Sequence, residues 1–145
     1  VDHGVALETE YPYQRFENMA NKPSRRVVRS ASRQKIANYA RVTTVEGLKR
    51  SLYEIGICLM TLPMYSARDA FWRRVHGQPE STNGHAVTIC GYSTERGGFI
   101  ARNSWGSTWN EGGYFIFPYE DWPYVWECWT CITITRTQKS KCVIV

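Results

Sequence analysis

Hydrophobic residues recur at helical spacing in one short segment of the chain. They share one face of an α-helix and are Val45, Leu48, Leu52 and Ile55. Thr43 and Glu46 form a capping-box pattern, with Thr43 as the N-cap and Glu46 at the third helical position. Gly56 is suited to the left-handed conformation that ends many helices. The pattern predicts a helix over residues 45–55.

Shorter apolar runs elsewhere have the length and composition of β-strands. Six segments are predicted as strands: 37–42, 57–62, 86–92, 99–104, 114–117 and 128–135. Gly97 and Gly98 suit a hairpin loop between the third and fourth of these strands. Residues 67–75 are predicted as a short helix or an irregular turn, and residues 118–126 as a turn with a short helical piece. One helix followed by mostly antiparallel strands indicates an α+β fold with a sheet or small barrel.

The predicted hairpin brings one histidine and one asparagine to the same face. Side chains alternate across a strand, so His85 can lie directly opposite Asn103, with Tyr92 opposite Arg96 and a three-residue loop between them. A register shifted by two residues keeps His85 and Asn103 on one face and diagonally within reach. A shift by one residue would separate them. The register of the hairpin therefore decides whether the two side chains can act together.

A histidine beside an asparagine can activate a nucleophile supplied from elsewhere. The Asn103 carbonyl can accept one imidazole N–H of His85 and leave the second ring nitrogen for a cysteine thiol. Transfer of the thiol proton to the ring gives a thiolate, which is the nucleophilic form of cysteine. Trp105 faces the same way as Asn103 and could cover the hydrogen bond. Taken alone, the pair also fits a packing role, because a histidine on an apolar strand is more often a core residue.

Short motifs around these residues resemble those of one family of peptidases. In chain order they are Glu10-Tyr11-Pro12-Tyr13, Gly84-His85-Ala86-Val87, Gly91-Tyr92, Arg102-Asn103-Ser104-Trp105-Gly106-Ser107-Thr108-Trp109, Gly112-Gly113-Tyr114-Phe115 and Pro118-Tyr119. The second and fourth motifs resemble the histidine and asparagine signatures of papain-like cysteine peptidases. The last motif resembles bacterial-type or viral members of that family. Chance does not explain so many motifs in the correct order.

The resemblance implies a fold and a set of roles. The fold is papain-like, mainly its antiparallel β-barrel, or C-terminal, half with one preceding helix. His85 is implied as general base and acid, Asn103 as its orienting partner and Trp105 as a shield over their hydrogen bond. Ala86 is implied to lie near the pocket for the substrate's second side chain. The implied partner is a peptide or protein substrate.

The chain departs from the family pattern at the nucleophile and at one turn. The family cysteine stands in a Cys-Gly-Ser-Cys-Trp context with an oxyanion-hole glutamine shortly before it, and neither occurs in these 145 residues. Residues 1–36 are interpreted as a partial connecting segment with a basic loop, and residues 37–145 as the β-rich C-terminal domain. The helical N-terminal domain with the nucleophile is interpreted as missing. Asn110 stands where the family usually has glycine, and asparagine can take the left-handed conformation that a turn needs.

Two functions fit this sequence. The first is a thiol protease, a cysteine-type peptidase in which His85 and Asn103 activate a cysteine of the missing N-terminal half. The chain is then expected to be inactive by itself, because loss of one member of a catalytic triad costs several orders of magnitude in rate. The second is a catalytically inactive papain-like homologue that binds peptides or proteins. The residue at the nucleophile position distinguishes the two.

Composition and charge exclude several other classes. Much of the positive charge behind the formal net charge of +5 lies between Lys22 and Lys35, a stretch without aromatic residues, which favours a solvated loop or helix face over a nucleic-acid surface. Cys128 and Cys131 form a CxxC without the second close pair of a structural zinc site, so no metal or other cofactor is expected. No apolar run reaches the roughly 20 residues that span a bilayer. Residues 142–145 have the form of a prenylation box but end in an unusual valine, and nothing indicates a compartment.

Overall fold

The structure is a computed structural model that describes residues 3–12 and 22–133. Its helices are α1 (Arg25–Ala31), α2 (Val45–Glu54) and the 3₁₀-helix η1 (Tyr119–Tyr124). Its strands are β1 (Ile36–Arg41), β2 (Cys58–Pro63), β3 (Gly84–Ser93), β4 (Gly98–Arg102), β5 (Tyr114–Pro118) and β6 (Glu127–Thr133). Each predicted strand is present, with ends that differ by no more than two residues wherever the structure describes them. The end predicted at residue 135 and the prenylation-like residues 142–145 lie outside the described residues.

The six strands form one sheet in the order β1-β6-β2-β3-β4-β5. The neighbouring pairs β6–β2, β2–β3, β3–β4 and β4–β5 run antiparallel. Strands β2 to β5 are adjacent in space in the order in which they occur in the chain, as expected when successive antiparallel strands are joined by loops. The predicted α+β class is confirmed.

Contacts between α-carbons divide the described chain into two compact units. The first contains residues 3–12, 22–39 and 131–133, and the second contains residues 40–130. The prediction of a single helix was wrong, because α1 also forms, within the positive stretch that was expected to be a solvated loop or a helix face. The hydroxyl of Ser24 accepts a hydrogen bond from the N–H of Val27 at 3.4 Å and caps this helix. The predicted division at residue 36 stays a prediction.

Helix α2 begins at Val45 and ends at Glu54, within one residue of the predicted 45–55, but its N-cap is not the residue that the capping-box pattern predicted. The N-cap is Thr44, whose hydroxyl accepts the N–H of Gly47 at 3.0 Å, whereas Thr43 lies outside the helix. Glu46 is therefore at the second helical position, where it pairs with Lys49 at 3.0 Å instead of closing a capping box. Gly56 has the predicted positive φ, 120°. No helix among the described residues is long and apolar enough to cross a bilayer.

The core of the second unit lies between α2 and the inner face of the sheet. Its fully buried members come from α2, the strands and one loop: Leu48, Leu52, Met60, Leu62, Phe71, Ile89, Phe99, Ala101, Phe117 and Cys128. Burial of each large apolar side chain contributes about 1.5–3 kcal/mol. Inner and outer residues alternate along β3, so the pattern that builds this core also fixes which side chains of β3 face inward.

Candidate active site

His85 and Asn103 lie at the same end of the hairpin formed by β3 and β4. His85 is the second residue of β3, where it is half-buried and pairs with Leu62 of β2. Asn103 directly follows β4, is 7% exposed, and its backbone N–H donates to the carbonyl of Gly113 at 2.9 Å. The sheet positions the histidine, and the end of a strand positions the asparagine.

The hairpin register places the two side chains diagonally. Thr88 pairs with Arg102 and Ile89 with Ala101, which is the register shifted by two residues from direct opposition of His85 and Asn103. The directly opposed register, with its three-residue loop, was wrong. A bulge at Cys90 moves the remainder of the hairpin by one residue and leaves four residues, 94–97, in the loop. The shift of two keeps both side chains on one face.

A short hydrogen bond joins the two side chains. His85 Nε2 and Asn103 Oδ1 are 2.7 Å apart, and the same Oδ1 accepts the backbone N–H of Ser104 at 2.8 Å. Because this atom of Asn103 accepts a backbone N–H, it is the amide oxygen and cannot donate to the imidazole. His85 Nε2 is therefore the donor and carries the proton. In the neutral ring Nδ1 is then the lone-pair nitrogen, and no hydrogen bond joins it to any residue the structure describes. Within that same part of the chain, Asn103 Nδ2 is buried without a partner.

Aromatic rings surround the imidazole. The Trp105 ring lies 4.8 Å from the His85 ring at an interplanar angle of 32°, and its role as a shield stays a prediction. Phe71 meets His85 edge to face at 5.2 Å and 85°. Phe71 was not predicted, because it lies in the irregular segment 67–75, where no periodicity assigns a face. The aromatic pair Phe71-Trp72, which stands between the charged pairs 68–69 and 73–74, was the signal that could have identified it.

The loop that follows Asn103 is folded back by its glycines and by Asn110. Asn110 has a φ of 42°, which is the left-handed conformation expected from its place in the sequence. Gly113 donates to the carbonyl of Trp109 at 2.7 Å, and a side chain at Gly113 would come within 3.0 Å of the Gly106 carbonyl oxygen. The Gly113 carbonyl in turn holds the backbone of Asn103. The loop therefore fixes the amide that contacts His85.

The cysteines of the second unit lie away from His85. Cys58 is buried, and it is four residues along β2 from Leu62, the partner of His85, or about 13 Å along the strand. Cys128 is fully buried, and burial raises the pKa of its thiol to about 12. Cys90 forms the bulge five residues along β3 from His85. None of these positions offers a thiolate to the free ring nitrogen.

A cavity of about 850 Å³ opens beside the start of β3. Pro63, which pairs with Gly84, lines it together with Trp126. The Trp126 ring packs on Gly84 so closely that a side chain there would approach it to 2.8 Å. Ala86 is exposed and pairs with Thr61, and it does not line this cavity. The role of Ala86 near a substrate pocket stays a prediction.

No cluster of metal-binding side chains occurs in the described part of the chain. No three histidine, cysteine, aspartate or glutamate side chains within residues 3–12 and 22–133 are grouped so that they could hold a metal ion. The chemistry that this site can perform is proton transfer at the imidazole, supported by a fixed amide.

Comparison with known proteins identifies the family. The family model of papain family cysteine proteases matches residues 1–139. The chain belongs to the papain family. Among curated relatives, Peptidase 1 of Euroglyphus maynei is 28% identical, with 85% of this chain and 42% of that protein covered. Viral cathepsin of Adoxophyes honmai nucleopolyhedrovirus is 31% identical, with coverage of 77% and 33%.

A solved structure of a cysteine protease has the same fold. Xylellain, a cysteine protease from Xylella fastidiosa, superposes with a TM-score of 0.75 at 26% identity, and the match covers 92% of this chain and 58% of that one. The papain-like fold predicted from the motifs is confirmed. The chain spans about a third to two fifths of the length of the curated relatives named above.

Proposed function

We propose that the protein containing this chain is a cysteine peptidase in which His85 acts as general base and acid. The observation that carries the proposal is the 2.7 Å hydrogen bond between His85 Nε2 and Asn103 Oδ1, which leaves Nδ1 free to take a proton. Membership of the papain family supports cysteine-type peptidase chemistry. The substrate is a peptide or protein.

The proposed reaction uses the imidazole twice. Nδ1 of His85 takes the proton of a cysteine thiol, and the thiolate attacks the carbonyl carbon of the scissile peptide bond. The imidazolium then gives its proton to the leaving amine as the C–N bond breaks, which leaves an acyl-enzyme thioester. Nδ1 next takes a proton from water as the hydroxide attacks the thioester, and returning that proton to the sulfur releases the acid. Asn103 holds the ring in one tautomer and one orientation throughout.

The nucleophile of this reaction is proposed to come from protein sequence outside these 145 residues. Support comes from the burial of Cys58 and Cys128 and from the distances along the strands that separate them from His85. The chain by itself is accordingly proposed to be inactive. Trp105 is proposed to keep water from the hydrogen bond between His85 and Asn103, and Ala86 to lie near the pocket for the second side chain of the substrate.

Peptide hydrolysis by the full-length parent protein tests the proposal. We expect measurable turnover, covalent labelling of one cysteine by an active-site thiol reagent, and loss of both in His85→Ala. The expected fall in kcat/KM is about 10³-fold or more, because the variant lacks the base that forms the thiolate. His3→Ala is the matched control, since His3 is exposed and belongs to the first unit.

Two outcomes would contradict the peptidase assignment. A folded full-length protein that neither hydrolyses peptides nor reacts with the label would instead support the inactive homologue that binds peptides. Turnover that survives in His85→Ala would remove His85 from the reaction, even if the protein is a peptidase.

A further inference from the structure

One buried carboxylate of the second unit takes no part in the site described above. Asp121 lies in η1 and is 5% exposed. Its Oδ2 accepts the indole N–H of Trp72 at 2.8 Å and the guanidinium Nε–H of Arg73 at 2.7 Å. The hydrogen bond to Asp121 raises the pKa of Arg73. A buried charge is retained only when it is paired and hydrogen-bonded, so Asp121 fastens residues 72 and 73 to η1.

The fastened segment has a backbone that needs external support. Ala70 has a φ of 52°, a left-handed conformation that a residue with a side chain adopts only when its surroundings hold it there. The segment around it consists of turns without a regular helix or strand. The Phe71 carbonyl accepts the N–H of Tyr65 at 2.8 Å, which ties the segment to the residues that follow β2. On the C-terminal side of Phe71, the segment is held by the hydrogen bonds that Asp121 accepts from the side chains of Trp72 and Arg73.

The same segment delivers two rings to the neighbourhood of His85. Trp72 stacks on Phe115 with centroids 5.1 Å apart and an interplanar angle of 29°. Phe71 is fully buried, and its ring lies 5.2 Å from His85 and 5.3 Å from Trp105. The imidazole therefore contacts two aromatic rings, of which one, Trp105, lies two residues after Asn103 and the other depends on the segment held by Asp121.

We propose that Asp121 is a positioning residue for the His85 imidazole, acting through Trp72 and Phe71. Asp121 holds the segment 70–73 so that Phe71 closes one side of the ring while Trp105 closes another. Without this carboxylate, Phe71 withdraws, the ring gains rotational freedom, and water competes for the hydrogen bond to Asn103. The inference rests on the proposed peptidase function of the site.

Kinetics of the full-length protein provide the first test. Asp121→Asn keeps the size of the side chain but removes its charge, and we expect kcat to fall about 10-fold to 100-fold with KM little changed, because a displaced catalytic group slows the chemical step. Glu120→Gln is the matched control. Glu120 is the neighbouring carboxylate, 3.5 Å from Arg73 but 80% exposed, and its loss should leave kcat unchanged.

A double-mutant cycle separates positioning from general destabilisation. If Asp121 acts through Phe71, Asp121→Asn and Phe71→Leu remove the same support, and their combined loss in kcat is smaller than the product of the two separate losses. Independent effects would multiply. The proposal would be overturned if the loss in kcat of the double variant equalled the product of the two single losses. It would also be overturned if Asp121→Asn lowered Tm without changing kcat.

Proton NMR of the His85 ring tests the inference even in a protein without turnover. Ring currents from Phe71 and Trp105 displace the carbon-bound ring protons of His85, and we expect Asp121→Asn, but not Glu120→Gln, to move these resonances towards those of an exposed histidine. Trp72→Phe keeps an aromatic ring but loses the indole N–H together with the fused second ring, and it should move these resonances in the same direction by a smaller amount. This variant replaces Asp121→Asn in the test if Asp121→Asn does not fold. Unmoved His85 resonances would overturn the positioning role. Absence of turnover in the unmodified protein would count against the proposed function alone.

Discussion

At the residue scale, the site depends on an amide that is held from two directions. The backbone N–H of Asn103 is bound by the Gly113 carbonyl, and its side-chain oxygen is bound by the N–H of Ser104. The amide oxygen therefore cannot turn away without loss of a hydrogen bond in a buried position, which costs about 1–3 kcal/mol. His85 Nε2 therefore donates to an acceptor oxygen that is held in place by contacts other than those with His85, and this hydrogen bond sets the orientation of the imidazole ring.

Replacement of Asn103 by alanine should slow the proposed chemical step more than it weakens substrate binding. With Asn103→Ala, nothing at that position fixes the tautomer or the direction of the His85 ring, and we expect kcat to fall about 10-fold to 100-fold with KM within about twofold. Steady-state kinetics on the full-length protein measure both constants. Ser104→Ala is the control, because Ser104 contacts Asn103 through its backbone N–H. Equal losses in the two variants would show that the loop, and not the amide, matters.

Alternation along strands made part of the site predictable from the sequence. His85 lies in β3 and Asn103 directly follows β4, where the period of two decides which side chains share a face, whereas Trp105 lies three residues beyond the end of β4. Phe71 and Asp121 lie in turns and in a 3₁₀-helix, where no period applies. Their place depends on long-range contacts such as the hydrogen bond between Trp72 and Asp121, which spans 49 positions of the chain. Local patterns do not contain such contacts.

At the scale of elements, the predicted hairpin was correct in its strands and wrong in its loop. Apolar runs and paired glycines locate two strands and a turn, but they do not reveal a bulge, because an extra residue at Cys90 leaves the runs on either side unchanged. The bulge shifts the strand pairing by one residue on the side of Cys90 that leads to the hairpin loop. On the other side, where His85 and Asn103 lie, the pairing is not shifted. His85 and Asn103 lie on the side of the bulge where the alternation of β3 and β4 is undisturbed, and this is why a prediction with the wrong loop still placed them together.

The start of α2 gives a second prediction, with a control in the adjacent residue. Thr44→Ala removes the hydroxyl that accepts the N–H of Gly47, and we expect a loss of about 1 kcal/mol in the free energy of unfolding. Thr43→Ala should change it by less than about 0.5 kcal/mol, since Thr43 accepts the indole N–H of Trp122 through its backbone carbonyl. Urea unfolding of the full-length protein measures the difference. If Thr43→Ala lost more unfolding free energy than Thr44→Ala, Thr43 would be the N-cap, as the capping-box pattern in the sequence predicted.

At the scale of the whole molecule, we propose that the chemistry is divided between this chain and sequence outside it. The second unit contains a fixed base, His85, but its cysteines occupy the core or the bulge of a strand. A thiol in the core stabilises the fold as a small apolar group, and ionisation would place a charge in an apolar environment. The same sheet therefore keeps the base and the thiols of this unit apart.

Thiol labelling should separate these two classes of cysteine in the full-length protein. Burial raises the pKa of Cys128 to about 12, so at pH 7.5 on the order of one thiol in 10⁴ or fewer is ionised, and we expect Cys128 and the equally buried Cys58 to react with iodoacetamide only in denaturant. Mass spectrometry of digested protein locates each label. Since the folded state resists ionisation of Cys128, its contribution to stability is complete below pH 9 and is lost as the pH rises from there towards 12. Rapid native labelling confined to a cysteine outside these 145 residues would agree with the proposed nucleophile, whereas rapid native labelling of Cys58 or Cys128 would contradict the buried positions on which that assignment depends.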